Sequence, residues 1–293
     1  MSTLALITVL YKSDDVLEDF YKSIYIQSFK DYKLYLVDNS ASDSSNHIIA
    51  ECANKYPLSN IEYINSGGNI GVAAGNNLGI KQALNDGCTH LLLLNNDILI
   101  EQENMFSKMM ELSAKEDIIT PKIFCCDSKK VWMAGGYMDY KRALGVHYGM
   151  NKQDAPEYNI AKHITYAPTC FLLIKAEVFK QVGLMDEKYF AYYDDTDFVL
   201  RALRSGYRLW YEPSLYLFHK VSSSSGGDNS PFYIYYGNRN KIYFIRKNFK
   251  GINKALTLLY TFISRIAFLL KYNKQGKLKL MQAIRDGFRI SVD

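Results

Sequence analysis

The 293-residue sequence predicts an α/β fold with a mainly parallel central sheet and flanking helices. Short, continuous apolar runs of strand length alternate with longer stretches in which apolar residues recur at helical spacing. Such alternation is typical of βαβ units, whose strands are buried on both faces of the sheet. The runs that predict the first four strands are residues 4–11, 33–37, 61–65 and 90–94.

The intervening stretches predict helices on both sides of this sheet. Helical spacing of apolar residues is visible at 16–26 and 80–84, and it returns at 195–205. Gly206 follows the last of these stretches, where it can serve as a C-cap.

The second half of the chain predicts a less regular order of strands. Residues 164–174 suggest a strand pair, or one long strand with a break at Pro168. Two short strands, 207–211 and 215–218, are expected on either side of Pro213. The Ser/Gly-rich residues 222–227 predict a flexible loop that is a candidate lid.

The composition indicates an ordered globular protein of a reducing compartment. Apolar residues make up 48% and charged residues 22%, which argues against disorder. The 24 Tyr and 15 Phe either fill the core or provide stacking surfaces for sugars and bases. The five cysteines include no C-x-x-C pair, so we expect neither a disulfide framework nor a zinc site.

The positive charge is concentrated at the C-terminal end. The formal net charge is +5, yet residues 246–293 alone contain eleven Lys and Arg against two Asp. Residues 1–245 contain 24 basic and 28 acidic side chains. We therefore expect a domain at 1–245 followed by a basic amphipathic helical tail at 246–293.

Residues 252–270 of this tail are apolar but interrupted by Asn253, Lys254 and Arg265. A spanning helix needs about 20 apolar residues, and a central Arg costs on the order of 3 kcal/mol, so no span is predicted. The tail either lies on an anionic membrane surface or packs on the domain or on a second subunit of a homodimer. The N-terminus has no signal-peptide pattern, and we expect a cytoplasmic protein held peripherally at the inner face of the cell membrane.

Polar residues follow each of the first four predicted strands. They are Tyr11, the Asp38 triplet Asp-Asn-Ser, the segment 65–69 and the triplet Asn-Asn-Asp that ends at Asp97. In parallel α/β sheets ligands bind beyond the carboxyl ends of the strands, so these side chains should meet at one site.

Two carboxylates of this set have a candidate role. Asp97 directly follows a buried strand and can bind Mg²⁺ or Mn²⁺, which needs only one or two protein ligands when a diphosphate supplies others. Asp38 can accept a hydrogen bond from the imide N–H of uracil or thymine, or it can simply cap a turn.

The Gly-rich segment 69–79 is not a dinucleotide-binding fingerprint. It lacks the pattern G-x-G-x-x-G, which disfavours a Rossmann oxidoreductase. Its glycines are four apart and suit close packing of a helix on the sheet, while Asn69 and Asn77 are the better ligand candidates.

Three carboxylates in four residues, Asp194, Asp195 and Asp197, open the helix predicted near residue 195. The helix dipole favours acids there, but their mutual repulsion raises at least one pKa, which is typical of a general base. His219 follows a strand and is a candidate metal ligand, whereas the other four histidines have no such neighbours in the sequence.

Taken together these segments resemble the family 2 glycosyltransferases of the GT-A fold, and especially their rhamnosyltransferase-like branch. The resemblance covers about residues 4–247. Its motifs are Thr8-Val-Leu-Tyr11, Val37-Asp-Asn-Ser, Asn69-x-Gly-x-Ala-x-Gly-x-Asn-x-Gly79, Leu94-Asn-Asn-Asp97, Val182-Gly-Leu-Met-Asp-Glu-Lys-Tyr-Phe190, Asp194-Asp-x-Asp197, Arg201 with Gly206-Tyr207, Pro213, His219 and Gly237-Asn-Arg-Asn240.

The resemblance implies an inverting transfer from a nucleoside-diphosphate sugar, with no nucleic-acid partner. Asp195 is then the general base, Asp97 binds the divalent ion, and His219 completes the metal or diphosphate site. Asp194 stands where the family more often has Glu, so either aspartate remains a candidate base. The residues expected at the nucleotide sugar are Thr8, Tyr11, Asp38, Asn69, Asn77, Asn96 and Arg239, with Tyr166 and Trp210 as further lining residues.

The expected function is transfer of a sugar from a dTDP- or UDP-sugar to a glycan or lipid-linked acceptor in the synthesis of a cell-surface polysaccharide. L-rhamnose is the first candidate for the sugar. Mg²⁺ or Mn²⁺ is the expected cofactor. The alternative is a non-catalytic subunit that binds nucleotide sugar or acts as a scaffold in a polysaccharide assembly complex. Such a subunit needs Asp38 and Asp97 but not Asp195.

Overall fold

One mixed sheet runs through the computed structural model, which describes residues 3–40, 46–220 and 230–292. In chain order the strands are β1 (Leu4–Leu10), β2 (Tyr32–Asp38), β3 (Ile61–Asn65), β4 (His90–Leu94), β5 (Ile98–Leu99), β6 (Ile118–Cys125), β7 (Val131–Met133), β8 (Gly136–Asp139), β9 (Leu144–His147), β10 (Lys162–Ile164), β11 (Phe171–Lys175) and β12 (Leu209–His219). The helices are α1 (Leu17–Tyr25), α2 (Asn46–Lys55), α3 (Val72–Asn85), α4 (Met105–Leu112), α5 (Ala176–Val182), α6 (Asp194–Arg204), α7 (Pro231–Asn248), α8 (Gly251–Lys271) and α9 (Lys274–Arg289).

The first four strands form the parallel half of the sheet. Their order is β4-β1-β2-β3, and β1 pairs in parallel with both of its neighbours. The side chains of β1 and β4 are almost entirely buried, as the apolar runs predict. The carboxyl ends of all four strands therefore lie at one edge of the sheet, which confirms the predicted convergence of their polar loops.

The second half joins this sheet through an antiparallel insertion. Strand β11 lies between β4 and β6 and is antiparallel to both, with Phe171 paired to Leu94. Strand β12 is parallel to β6, so it ends at the same edge as β4. The antiparallel β11 begins at that edge, and Asn95 N–H donates to the Cys170 carbonyl at 2.9 Å.

Two predicted boundaries differ from the structure. The predicted strands 207–211 and 215–218 form the single strand β12, and its pairing with β6 shifts register between Glu212 and Tyr216. Pro213 lies in that interval, and a proline cannot donate to the ladder. The segment 164–174, predicted as a strand pair or one broken strand, contains the end of β10 and most of β11, which are separated by residues 165–170 and are not neighbours in the sheet. The candidate lid at 222–227 lies outside the described residues.

Helix α7 continues past residue 245, where the first domain was predicted to end. Helix α9 packs against α7. A Cβ added to Gly287 of α9 would lie 2.7 Å from the carbonyl oxygen of Arg239, so glycine allows the two helices to approach closely. Arg246 of α7 donates to the carbonyls of Gly287 and Ile290 at 2.9 and 2.7 Å.

Helix α8 exposes a row of large apolar side chains. Within the described chain, residues 251–269 are the one segment long and apolar enough to cross a membrane by length and composition. The apolar side chains that are at least 56% exposed follow a spacing of three and four residues: Ile252, Leu256, Leu259, Ile263 and Ile266. We call these five residues the α8 stripe.

Candidate active site

A cleft of about 520 Å³ opens at the sheet edge where the parallel strands end. Its walls come from the loops after β1, β2 and β4, from the start of α3, and from an aromatic group beside α7. Tyr11, Asn69, Asn96 and Asp97, all expected at the donor, line it. Further lining residues to which sequence analysis assigned no role include Ser13, Asn39, Asn95, Thr169, Phe190, Tyr192 and Phe232.

Side-chain amides fix the backbone around this cleft. Asn96 Nδ2 donates to the Val9 carbonyl at 2.8 Å, and Asn39 Nδ2 donates to the Gly71 carbonyl at 3.0 Å. Gly71 has φ +88°, and a Cβ there would lie 2.5 Å from the Phe190 carbonyl oxygen, so only glycine fits. The loop before α3 is thereby held against the aromatic wall.

Asp97 and His219 face each other at this edge because β4 and β12 end there in parallel. Asp97 Oδ1 lies 3.0 Å from His219 Nε2, and the two side chains are only 12% and 8% exposed. Neither ring nitrogen of His219 has a hydrogen-bond partner among the described residues. Lys220 N–H donates to the Asp97 carbonyl at 2.8 Å, which ties the two strand ends together.

This pair suits a divalent cation. Two ligands at right angles, each about 2.1 Å from Mg²⁺, stand about 3 Å apart, which matches the Asp97–His219 separation. The described residues contain no group of three or more His, Cys, Asp or Glu side chains that could hold a metal. The remaining positions of an octahedral ion would therefore fall to phosphate oxygens and water.

Asp194 and Asp195 open α6 after an unusual turn. Tyr192 and Tyr193 both have a left-handed backbone, with φ of 65° and 70°. Asn240 of α7 stabilises this turn because its Nδ2 donates to the carbonyls of Ala191 and Tyr192 at 2.6 and 2.9 Å.

The two aspartates differ in access and in partners. Asp195 is partly exposed and accepts from Tyr166 O–H at 3.0 Å and from Thr196 N–H at 2.5 Å, whereas Asp194 is 5% exposed. Burial and the adjacent charge of Asp195 raise the pKa of Asp194 to about 8. Burial also raises the pKa of Asp195, against the opposing effect of its hydrogen bonds.

Cys170 lies near both Asp97 and Asp195. Burial raises the pKa of its thiol, and the charges of Asp97 and Asp195 both add to the rise. The two carboxylates that the sequence places almost a hundred residues apart are thus brought to one neighbourhood by the antiparallel entry of β11.

An aromatic row that sequence analysis missed connects the same two groups. The Trp132 ring lies 4.7 Å from the His219 ring and 4.5 Å from that of His147, which stacks at 5.7 Å on Tyr166. Burial lowers the pKa of His147 to about 4, so its ring is neutral. No local pattern marks Trp132 or His147, because strands β7 and β9 meet His219 only through tertiary packing.

Asp38 lies at the end of β2, 2% exposed, beside Asn39 of the cleft wall. Its carboxylate accepts from Tyr63 O–H at 2.6 Å and from Ser40 N–H at 2.7 Å. A carboxylate offers about four acceptor positions, so these two bonds leave capacity for an imide N–H.

Three expected donor contacts are corrected by the structure. Asn77 is 1% exposed and is occupied at both ends, by the carbonyl and the N–H of Met185 at 2.9 and 3.0 Å. Arg239 lies outside the cleft and donates to the Lys188 carbonyl at 2.7 Å. Thr8 is fully buried inside β1, one residue before the cleft-lining Val9 on the alternate face.

Of the two further lining residues, Tyr166 contacts the acidic pair as described, but Trp210 does not face the cleft. Trp210 lies on β12 next to β10, donates to Glu212 at 3.3 Å, and packs on the His163 ring at 4.9 Å. Motif position alone cannot distinguish a ligand contact from a bond that holds the scaffold.

We expect Asp194→Asn to stabilise the protein at high pH. Because the folded state raises the pKa of Asp194, it retains a proton that the unfolded chain has lost between about pH 4 and pH 8, so this group makes stability fall as pH rises. The melting temperature of the variant should exceed that of wild type by a few degrees at pH 8, at about 2–4 °C per kcal/mol, and by nothing near pH 4.

Calorimetric melting at several pH values measures this difference. Glu157→Gln, which removes an exposed acid, is the control and should melt like wild type throughout. A deficit of Asp194→Asn at pH 8 would contradict the assignment of a strained, buried carboxyl.

Sequence comparison identifies relatives of the chain. It is 27% identical over 246 residues to the low-salt glycan biosynthesis hexosyltransferase Agl10 of Haloferax volcanii, a match covering 82% of this chain and 75% of the relative. It is 28% identical over 216 residues to the dTDP-rhamnosyl transferase RfbF of Shigella flexneri, covering 65% of each.

Solved structures share the fold. The S. aureus TarS fragment 1–349 in complex with UDP superposes with a TM-score of 0.63 at 17% identity, over 98% of this chain and 80% of that one. The mannosyltransferase PcManGT of Pyrobaculum calidifontis, in complex with GDP-Man and Mn²⁺, gives 0.59 at 12% identity, over 98% and 86%. These neighbours confirm the GT-A fold expected from the sequence.

Residues 5–183 match the sequence model of the family described as glycosyl transferase family 2. That segment contains the parallel half of the sheet, Asp38 and Asp97. The chain therefore belongs to glycosyl transferase family 2.

Proposed function

We propose that the chain catalyses an inverting, metal-dependent transfer of a sugar from a dTDP- or UDP-sugar to a hydroxyl of a glycan or lipid-linked acceptor. The observation that carries the proposal is the pairing of two chemistries at one sheet edge. Asp97, which lies 3.0 Å from His219, and Asp195 both lie close enough to Cys170 for their charges to act on its thiol.

The Asp97–His219 pair would act on the leaving group, the nucleoside diphosphate. A bound Mg²⁺ or Mn²⁺ neutralises the charge that develops on a departing diphosphate. Asp97 and His219 would hold this ion, with their contact atoms 3.0 Å apart. Fold neighbours whose structures contain Mn²⁺ and a nucleotide or nucleotide sugar support this assignment.

Asp195 would activate the nucleophile, the acceptor hydroxyl. An acceptor hydroxyl has a pKa far above neutral, so a base must take its proton as the new bond forms. Asp195 is better suited than Asp194 because it is partly exposed, while Asp194 is buried. The proton moves to Asp195, the hydroxyl oxygen bonds the anomeric carbon, and the bond to the diphosphate breaks, which inverts that carbon.

The hydrogen bonds of Asp195 orient it for this role. Tyr166 and Thr196 occupy three of its acceptor positions and stabilise the anion. One position is left to receive the acceptor proton. The raised pKa makes the carboxylate a stronger base than an exposed aspartate.

The donor is assigned by two weaker arguments. Asp38 would accept the imide N–H shared by uracil and thymine, as its free acceptor capacity permits. L-rhamnose is the proposed sugar because a 28% identical relative is named as a dTDP-rhamnosyl transferase. The wall of Phe190, Tyr192 and Phe232 offers stacking faces to base or sugar.

The site of action would be the cytoplasmic face of an anionic membrane, in the synthesis of a cell-surface polysaccharide. The exposed α8 stripe and the eleven basic residues after residue 245 together suit an interfacial helix. A homodimer formed through the same stripe is the competing use of this surface.

The donor assay tests the catalytic proposal. Purified full-length protein is incubated with a panel of nucleotide sugars and Mn²⁺ or Mg²⁺, and release of UDP or dTDP is followed. We expect release from one donor, abolished by EDTA and reduced about 10²–10⁴-fold in Asp195→Asn. Binding of UDP or dTDP should be unchanged in that variant, and Glu157→Gln should retain full turnover.

Turnover by Asp195→Asn at the wild-type rate would contradict Asp195 as the base. Binding without turnover in wild type, with every donor and an added membrane extract as acceptor, would instead favour the non-catalytic subunit.

Vesicle sedimentation tests the membrane proposal. Leu259→Glu places a charge in the α8 stripe at a residue 56% exposed, and should reduce binding to phosphatidylglycerol-rich vesicles several-fold without affecting the fold. Ile160→Glu, at a residue 58% exposed elsewhere, is the matched control. Equal sedimentation of Leu259→Glu and wild type would contradict a membrane role, and dimerisation lost in Leu259→Glu would assign the stripe to a homodimer.

A further inference from the structure

Lys241 is a buried cation for which the described structure provides no anion. Its side chain on α7 is 6% exposed, and no hydrogen bond or ion pair joins it to another described residue. Burial, together with the charges of Arg265 and Arg142 and against the opposing charge of Asp139, lowers the pKa of Lys241 to about 7. A buried ammonium group without a partner is destabilising, so its retention calls for a ligand.

Arg265 lies beside it without a carboxylate partner among the described residues. Arg265 reaches from α8 to the side-chain oxygen of Asn238, which stands one helical turn before Lys241 on α7. Its other partners are Ser264 Oγ at 3.1 Å and the Phe268 ring at 5.4 Å. The guanidinium charge therefore remains available to an anion.

Arg142 supplies a third cation from the loop between β8 and β9. Its side chain is half exposed, and its nearest carboxylate oxygen, on Asp139, lies 3.9 Å from Nη1. This separation makes a weak ion pair. Arg142 can therefore turn towards a stronger anion without breaking a packed contact.

A hydroxyl donor completes the group. The antiparallel contact of α7 and α8 is fixed at one end by Arg265 with Asn238 and at the other by Lys254, which donates to the Arg246 carbonyl at 3.1 Å. This register places Thr261 opposite Lys241. Thr261 is 2% exposed, and its Oγ1 has no hydrogen-bond partner among the described residues.

These groups lie close to the acidic pair of the active site. Tyr193, the residue before Asp194, is buried and donates to the Ala143 carbonyl at 3.0 Å, directly beside Arg142. The charges of Arg265, Arg142 and Asp195 all act on the Tyr193 phenol. The cationic group and the candidate base thus both lie near this buried ring.

We propose that Lys241, Arg142 and Arg265 form an anion site that binds the phosphate or diphosphate of a phosphate-linked glycan acceptor. Phosphate oxygens accept several charge-assisted hydrogen bonds from such a group. The inference rests on the proposed transfer to an acceptor hydroxyl, because anchoring the phosphate would hold that hydroxyl near Asp195. The apolar α8 stripe ends at Ile266, the residue after Arg265, and offers a lipid attached to the phosphate an apolar surface.

Calorimetric titration of the full chain tests this site, with UDP or dTDP and Mg²⁺ at saturation so that the donor site is blocked. The probes are inorganic phosphate and farnesyl phosphate. We expect wild type to bind at least one probe, Lys241→Met to bind it about tenfold more weakly or not at all, and Arg142→Gln to bind it several-fold more weakly. Lys271→Gln is the control, because it removes an exposed cation from α8, the helix that carries Arg265; this variant should bind like wild type.

The variants keep the test falsifiable. Lys241→Met removes a buried charge and should melt no lower than wild type, while Arg142→Gln changes a half-exposed side chain. Equal affinity of wild type and Lys241→Met, or no binding of either probe by wild type, would overturn the proposal. Tighter binding of farnesyl phosphate than of inorganic phosphate would indicate a lipid-linked acceptor, and equal binding a soluble sugar phosphate.

The same titration distinguishes failure of the proposed function from failure of the anion site. If the proposed function is wrong, UDP and dTDP will not bind in the first step, before either phosphate probe is added.

Discussion

The site depends on the left-handed turn at Tyr192 and Tyr193. Bulky residues avoid this backbone region, and each such residue costs on the order of 1–3 kcal/mol. The surrounding structure compensates for this strain. The Asn240 side chain donates to the carbonyls of Ala191 and Tyr192, and the Tyr193 ring packs, buried, against Phe244. Without this turn α6 could not begin with Asp194 and Asp195 at the sheet edge.

The third acid of the cluster explains how the other two stay unpaired. Asp197 is fully buried and accepts from Arg201 at 2.8 Å, Lys247 at 3.0 Å and Asn248 at 2.9 Å. The two cations, Arg201 and Lys247, bind the structural carboxylate, and no cation among the described residues pairs with Asp194 or Asp195. Neighbouring carboxyls in one helical turn thus have opposite environments, which is how a fold separates a structural acid from a catalytic one.

The two halves of the chain contribute different chemistry to one edge of the sheet. The parallel half supplies Asp38 and Asp97 at the ends of its strands, and the second half supplies His219 and the acidic pair. Strand β11 joins the halves because it enters antiparallel beside β4, which puts Cys170 near both Asp97 and Asp195. Helix α7 then adds Asn240, so this C-terminal helix takes part in positioning the proposed base.

Much of this arrangement was predictable from local patterns. The apolar runs and the polar residues that end them predicted the parallel half of the sheet and the edge at which Asp97 lies. Asn77 and Arg239 were misassigned because a motif identifies a residue but not its partners, and both side chains bind backbone carbonyls instead. The row from Trp132 to Tyr166 and the unpaired Lys241 exist only in tertiary structure, where no periodicity reports them.

The central claim is that Asp97 and His219 hold a divalent ion on a bound nucleotide. Titration of Mn²⁺ by electron paramagnetic resonance, with and without UDP or dTDP, measures this directly. We predict nucleotide-dependent Mn²⁺ binding by wild type and by Glu157→Gln that is weakened about tenfold or more in Asp97→Asn. Equal Mn²⁺ affinity of Asp97→Asn and wild type in the presence of nucleotide would contradict the assignment of Asp97 as a metal ligand.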